Sequence, residues 1–285
     1  YAKSTSLFDD LSVRLAHQWF EESRIVRNFN SDIRTTRVEN VDAYSINFDF
    51  IKNINESHRL FYGAEYVFND VTSTGFNEQI FTLDRTPGAP RYPLSDWQTI
   101  GVYINDEHKL TEDFTLQTGI RYTHYLMNAQ FDTTFYPFPF TTANVNDGAL
   151  TGGLGAVYEL NEKTVFRMNL STAFRSPNVD DIGKVFDSEP GRVVVPNPGL
   201  QAEYAYNGDI GVTKIIGDVL KIDLTGYYTL LQNAIVRRSF TLNGLDSINY
   251  DGELSEVQAL QNAASATVYG IQTGLEINFT KGFLL

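Results

Sequence analysis

Along most of this chain apolar side chains fall at every second position. Leu11, Val13, Leu15, His17 and Trp19 alternate with Ser12, Arg14, Ala16 and Gln18, and Tyr44, Ile46, Phe48 and Phe50 alternate with Ser45, Asn47 and Asp49. A period of two is the mark of a strand whose faces meet different surroundings. The same period returns at residues 60–68, 100–104, 116–122, 154–158, 166–170, 206–212, 220–224 and 271–277. It predicts about ten strands, each near the ~9 to 11 residues a tilted membrane strand needs, with extensions beyond it. No amphipathic helix of comparable strength interrupts them.

The polar face of these strands carries ionised groups, among them Arg14, Asp49, Glu65, Arg121, Arg167, Asp209, Lys221, Asp223 and Glu276. In a soluble sandwich that face would be the outside; in a membrane barrel it would line the lumen while the apolar face met lipid. Alternation alone leaves both open, but the links between strands choose. Those at 30–42, 69–96, 130–148, 175–204 and 237–266 are long, those at 52–57, 108–113, 159–163 and 214–218 are short, and they alternate strictly. A meander of that kind places every long loop on one end, which is the outer-membrane layout of periplasmic turns and extracellular loops. The expected fold is therefore all-β, an antiparallel transmembrane β-barrel segment.

Composition narrows the partners. The 285 residues include no cysteine, which removes disulfides and Cys-ligated metals. A net charge of −13 argues against nucleic acid, whose phosphates demand a basic face. No run of 18 or more apolar residues exists, so a transmembrane helix is not expected, and the chain starts without the charged and apolar regions of a signal peptide.

Between the strands near 170 and 206 lies a Pro/Gly/Asp-rich excursion. Pro177 holds Ser176 extended, and Pro196 and Pro198 around Asn197 set a turn before the next strand. Its FRSPN at 174–178 and NPGLQAE at 197–203 resemble the FRAPN and NPDLKPE signature of TonB-dependent outer-membrane receptors, with Ser176, Gly199 and Gln201-Ala202 as mild departures. The segment 95–125 resembles that family's paired strands ending in QDEWKLT and GLRYD, with Asn105 for Gln and His108 for Trp. TVYGIQTGLEINF at 267–279 resembles its YGVE strand, with Gln272 for Glu. The matches run in the family's order. The resemblance implies that residues 1–285 are part of a barrel of roughly 22 strands. The plug domain, its TonB box and the terminal strands are expected to lie outside this chain. It further implies an outer-membrane location and TonB-coupled import of a scarce ligand, with a ferric siderophore as the default. The TonB complex, acting through the plug, and outer-membrane lipid and lipopolysaccharide are the implied partners. Phe174, Arg175, Pro177, Asn178, Asn197, Pro198 and Glu203 carry the signature and by resemblance are structural.

Candidate chemistry is confined to loops. Phe135, Tyr136, Phe138 and Phe140, with Phe131, crowd FDTTFYPFPF; they can grip a chelate, a sugar or an apolar ligand, or pack the loop on itself. Arg192, Arg237 and Arg238 can meet an anionic ligand, lipopolysaccharide or loop acids. Asp180, Asp181, Asp187 and Glu189 lack the spacing of a calcium loop and read as solvated acids. TGGLGA at 151–156 lacks the Lys-Ser/Thr of a phosphate loop. His17, His58, His108 and His124 stand singly, so neither a metal nor a cofactor is expected. No GxSxG motif or triad appears, so no enzyme is expected. A plugless passive porin and a soluble glycan-binding β-sandwich are the rival readings.

Overall fold

The computed structural model describes residues 4–136, 138–183, 186–189, 191–217, 219–250, 252–280 and 283–284, and for 186–189, 278–280 and 283–284 the backbone alone. Its elements are β1 (Asp10–Val26), β2 (Ile33–Asn53), β3 (His58–Gln79), β4 (Arg85–Gly88), β5 (Leu94–Lys109), β6 (Phe114–Gln130), β7 (Thr142–Asn161), β8 (Thr164–Arg175), α1 (Val179–Gly183), β9 (Phe186–Glu189), β10 (Arg192–Val194), β11 (Glu203–Ile216), β12 (Leu220–Ser239), β13 (Ser247–Tyr250), β14 (Glu253–Thr280) and β15 (Phe283–Leu284). The long strands pair antiparallel in chain order, β1-β2-β3-β5-β6-β7-β8-β11-β12-β14, so the wall is a pure meander of ten. The outer edge of β1 has no partner among the described residues; at the other end β10 lies parallel to β14 at residues 256–258, across β14 from β13.

The register explains the two faces. Val13, Phe48, Ala64, Val102, Tyr122 and Leu150 share one row across six strands, and all point away from the lumen. Outward apolar groups stand open, Leu15 at 73% and Ile271 at 77% exposure. Such a surface is stable only against another apolar medium, which here is lipid. Aromatic contacts mark it: Phe50 stacks on Tyr62 and meets Phe8 toward the short-turn end, Phe114 meets Tyr158 edge-on farther round the wall, and Tyr228 and Tyr269 stack higher up.

The alternation of links holds, but the long links are shorter than the sequence suggests. Residues 54–57, 110–113, 162–163 and 217–219 are the tight turns; 27–32, 80–93, 131–141, 176–202 and 240–252 make the other end. Much of 33–42, 69–79, 142–148 and 253–266, expected as loop, is strand. The ladders continue past the membrane band, where alternation changes phase. In β6 the apolar positions are Leu116, Ile120 and Tyr122, pointing out; beyond Thr123 they become Tyr125, Met127 and Ala129, which point in and are buried. In β7 Ala143, Val145 and Ala149 do the same.

These inward residues found the only large apolar clusters among the described residues. One joins Tyr125, Met127, Phe131, Val145, Val179, Ile182 and Leu200; the other joins Val193, Val195, Leu242, Tyr250, Val257 and Ala259. Both sit at the long-link end, so the core of this molecule lies above its membrane band.

Candidate ligand vestibule and lumen wall

The inner face of the wall is a lattice of ionic and amide contacts. The Arg14 guanidinium donates to Asp49 at 2.6 Å, and the Tyr103 hydroxyl donates to the other Asp49 oxygen at 2.6 Å. Arg121 and Asn47 donate to the two oxygens of Glu65 at 2.9 and 2.8 Å. Farther round, Arg167 lies 3.3 Å from Asp223, Asn169 donates to Asp209 at 3.1 Å, and Lys221 lies 3.6 Å from Glu276.

Three of these contacts skip a strand, Arg167 reaching Asp223 over β11, and in the other two a glycine makes room for the crossing. Tyr103 of β5 passes over Gly63 of β3 to reach Asp49 of β2; a Cβ on Gly63 would stand 2.8 Å from its ring. Arg121 of β6 passes over Gly101 of β5 to reach Glu65, and a Cβ on Gly101 would stand 2.2 Å from the guanidinium. The small residues of TGGLGA play the matching part in β7: Gly153 and Gly155 floor a lumen groove of about 560 Å³ with Asn105, Gln117, Arg121 and Asn169 on its sides. The groove is open and polar, the surface of a passage rather than of a closed site.

Above it the loops fold together. Phe138 and Phe140 stack at 5.5 Å, each meets Phe131 edge-on, and Tyr136 stacks on Tyr250 at 6.0 Å. Phe135, Tyr136 and Phe138 then form one side of a cavity of about 370 Å³ closed by Val195, Leu242, Asn243, Leu245, Ile248, Asn249 and Tyr250. The aromatic run thus both packs the loop and bounds a hollow. Its far side comes from 242–250, a stretch in which no short-range pattern announces a site.

Arg192 lies 3.4 Å from Glu256, while Arg237 and Arg238 are exposed on the upper part of β12. Asp181 is held by Arg175, and Asp180 accepts from the Tyr92 hydroxyl at 2.7 Å; burial, then Asp180, pushes the Tyr92 pKa up. The side chains of Asp187 and Glu189 lie outside the described residues.

The signature residues form a clasp where β8 leaves the wall and β11 re-enters it. Arg175 donates to Glu203 at 2.5 Å and to Asp181 at 2.6 Å. Asn178 and Asp181 exchange backbone-to-side-chain hydrogen bonds, both 3.0 Å, a reciprocal cap for α1. Asn197 donates to the Leu260 carbonyl at 2.7 Å, Pro177 is fully buried, and Phe174 lies beside Tyr204. Pro198 is half-buried in the turn between Asn197 and Gly199.

A meander with a lipid-facing outer surface, an ionic inner surface and one crowded end defines a wall of an outer-membrane β-barrel. The comparisons make this particular. The family described as TonB dependent receptor-like, beta-barrel, matches residues 1–285, and the chain belongs to it. This is an outer-membrane family of transporters, not of enzymes.

Among solved structures the chain is similar to the copper transporter OprC, at 14% identity and TM-score 0.73 over 98% of this chain and 42% of that one. It is also similar to the Serratia marcescens hemophore receptor HasR, solved with its hemophore HasA and heme, at 14% and 0.64 over 94% and 47%. The ferric yersiniabactin uptake receptor FyuA from Yersinia pestis follows at 16% and 0.62 over 96% and 38%. The chain spans less than half the length of these structures. No curated protein matches it.

Proposed function

We propose that this chain forms part of the barrel of a receptor that imports a scarce ligand, a ferric siderophore, across the outer membrane by TonB-coupled active transport. The observation that carries the reading is the stacking of two unlike surfaces: an aromatic-bounded cavity among the loops, directly above a polar lumen wall. A chelate with aromatic metal-binding groups suits the first through ring stacking. Its anionic charge suits cations at the same rim, and Arg192, Arg237 and Arg238 supply them. The charged lattice below then offers a wet path that an apolar solute would avoid.

On this reading the plug that contacts the TonB complex, and the strands that close the barrel, come from sequence outside residues 1–285. The unpaired edge of β1 and the shares of the solved structures covered support it. The exposed apolar band meets outer-membrane lipid, with lipopolysaccharide around its upper rim. The signature clasp has a structural role, tying β8, α1 and β11 to the floor of the vestibule.

The test is uptake of a radiolabelled ferric chelate by cells carrying the whole receptor, with and without the TonB protein. Import that stops when TonB is removed supports the proposal. Flux that persists without TonB gives the function to a passive channel, and a product recovered without detergent overturns the membrane reading itself.

A further inference from the structure

At the short-turn end, on the outward face, the pairing of β3 with β5 sets His58 directly opposite His108. Their rings stack at 3.7 Å between centroids. Asp106, two residues along β5 on the same face, brings its Oδ2 to 3.3 Å from His58 Nδ1. One donor atom from each of the three lies within 4.8 Å of the others. We propose that His58, His108 and Asp106 form a binding site for a divalent transition-metal ion such as Zn²⁺, which clips β3 to β5 at the periplasmic rim.

Three features favour a cation here over a mere ion pair. The two stacked imidazoles, one from each strand, bring ring nitrogens of both to the same spot as a carboxylate oxygen, so one ion can reach all three. The second Asp106 oxygen, Oδ1, is shielded from solvent and accepts no hydrogen bond, a costly state for a carboxylate that lacks a cation. The donor set, two imidazoles and one carboxylate, is that of zinc and related borderline metals. Donors bound to one ion at ~2.0–2.2 Å stand at most about 4.4 Å apart, so a small side-chain rotation closes the set.

The backbone is prepared for it. Asn55 Oδ1 accepts from the N–H groups of Ser57 and His58 at 2.8 and 2.9 Å, and Lys109 N–H donates to the Ser57 carbonyl at 2.8 Å, fixing both turns beside the ligands. The other histidines are differently placed: His17 pairs with Asp42 and stacks on Tyr44, and His124 meets the Tyr122 hydroxyl. The site faces away from the lumen, so the inference is independent of which ligand the receptor imports.

The intact receptor, purified in detergent and stripped with a chelator, is titrated with Zn²⁺ by calorimetry. Wild type is expected to bind one equivalent more than His108→Gln, with Asp106→Asn weakened about tenfold or more and His124→Gln unchanged. Equal stoichiometry and affinity in wild type, His58→Gln and His108→Gln overturns the proposal. If the variants fail to fold, shown by lost heat-modifiable migration, wild type carrying one equivalent of Cu²⁺ decides by electron paramagnetic resonance. Coupling to two imidazole nitrogens supports the site, and its absence overturns it.

Discussion

The two halves of β6 solve opposite problems with one backbone. Between Phe114 and Tyr122 the strand turns apolar side chains out to lipid and lays Arg121 along the lumen wall; between Thr123 and Gln130 it turns Tyr125, Met127 and Ala129 inward and leaves Asn128 and Gln130 in water. The lower half has no buried core and is held by ladder hydrogen bonds and ionic contacts, because lipid already solvates its apolar face. The upper half stands in water and must bury its apolar groups, so the loops supply a core: Met127 is 1% exposed and Ile182 is 0%. The solvent outside the wall, not the strand itself, decides which phase of the alternation is apolar.

The strongest way to break this comparison is to hollow the upper core. Met127→Ala is expected to cost about 2–5 kcal/mol, since the lost methylenes leave a cavity between β6, β7 and α1. Denaturant unfolding of the receptor, with limited proteolysis of the loops, measures it. A loss below about 0.5 kcal/mol, within the scatter of ordinary surface changes, would mean the loop cluster is not a packed core.

A charge on each face of the wall, either side of the phase change, comes next. Val102→Arg puts a guanidinium against lipid and is expected to cost ~2–4 kcal/mol near the bilayer midplane. Thr99→Arg, on the lumen face, is expected to fold with little loss. Refolding into lipid vesicles compares the two, and equal tolerance would sink the assignment of faces.

These two halves also account for what was legible in the sequence. The ten strands and the alternation of short and long links could be read because Leu11 to Trp19, Tyr44 to Phe50 and their successors keep one phase through the membrane band. The upper parts of β2, β3, β7 and β14 read as loop in the sequence because the phase inverts there, and the pattern of one apolar face ends where that face changes sides. The signature residues were legible by resemblance, but not their contacts: Arg175, Asp181 and Glu203 meet only through the pairing of β8 with β11. His58 and His108, fifty residues apart, become neighbours by register, which no spacing rule along the chain records.

The clasp sharpens the boundary between the halves. Arg175→Ala leaves the mostly buried carboxylates of Asp181 and Glu203 without their guanidinium, at an expected cost of about 1–3 kcal/mol. If the clasp is structural, the loss appears as looser protection of 176–202 in hydrogen exchange while the wall below is unchanged. Loss of ligand affinity with full protection would instead make Arg175 a ligand contact.

The smallest expected effect compares two buried carboxylates within the upper half. Glu78 lies between Arg85 and Arg34, and these contacts, the Arg85 hydrogen bond foremost, hold its pKa below the usual carboxylate range. Glu39 is 4% exposed and neither of its oxygens accepts a hydrogen bond; burial, despite Arg91, Arg24 and Arg37 and with help from Glu22, pushes its pKa up. The signs are opposite. A depressed folded pKa adds stability that is present above the ordinary carboxylate range and lost as pH falls through the folded value. A raised one adds stability that is full below the ordinary range and lost as pH rises through the folded value. Glu78→Gln is therefore expected to lower Tm at neutral pH, with the deficit shrinking in acid. Glu39→Gln is expected to raise Tm at neutral pH, with the gain vanishing below the ordinary carboxylate range. Melting curves of both variants across that range test the pair, and two shifts of the same sign would mean that Glu39 has found a cationic partner in solution and is no longer the unpaired charge its burial makes it here.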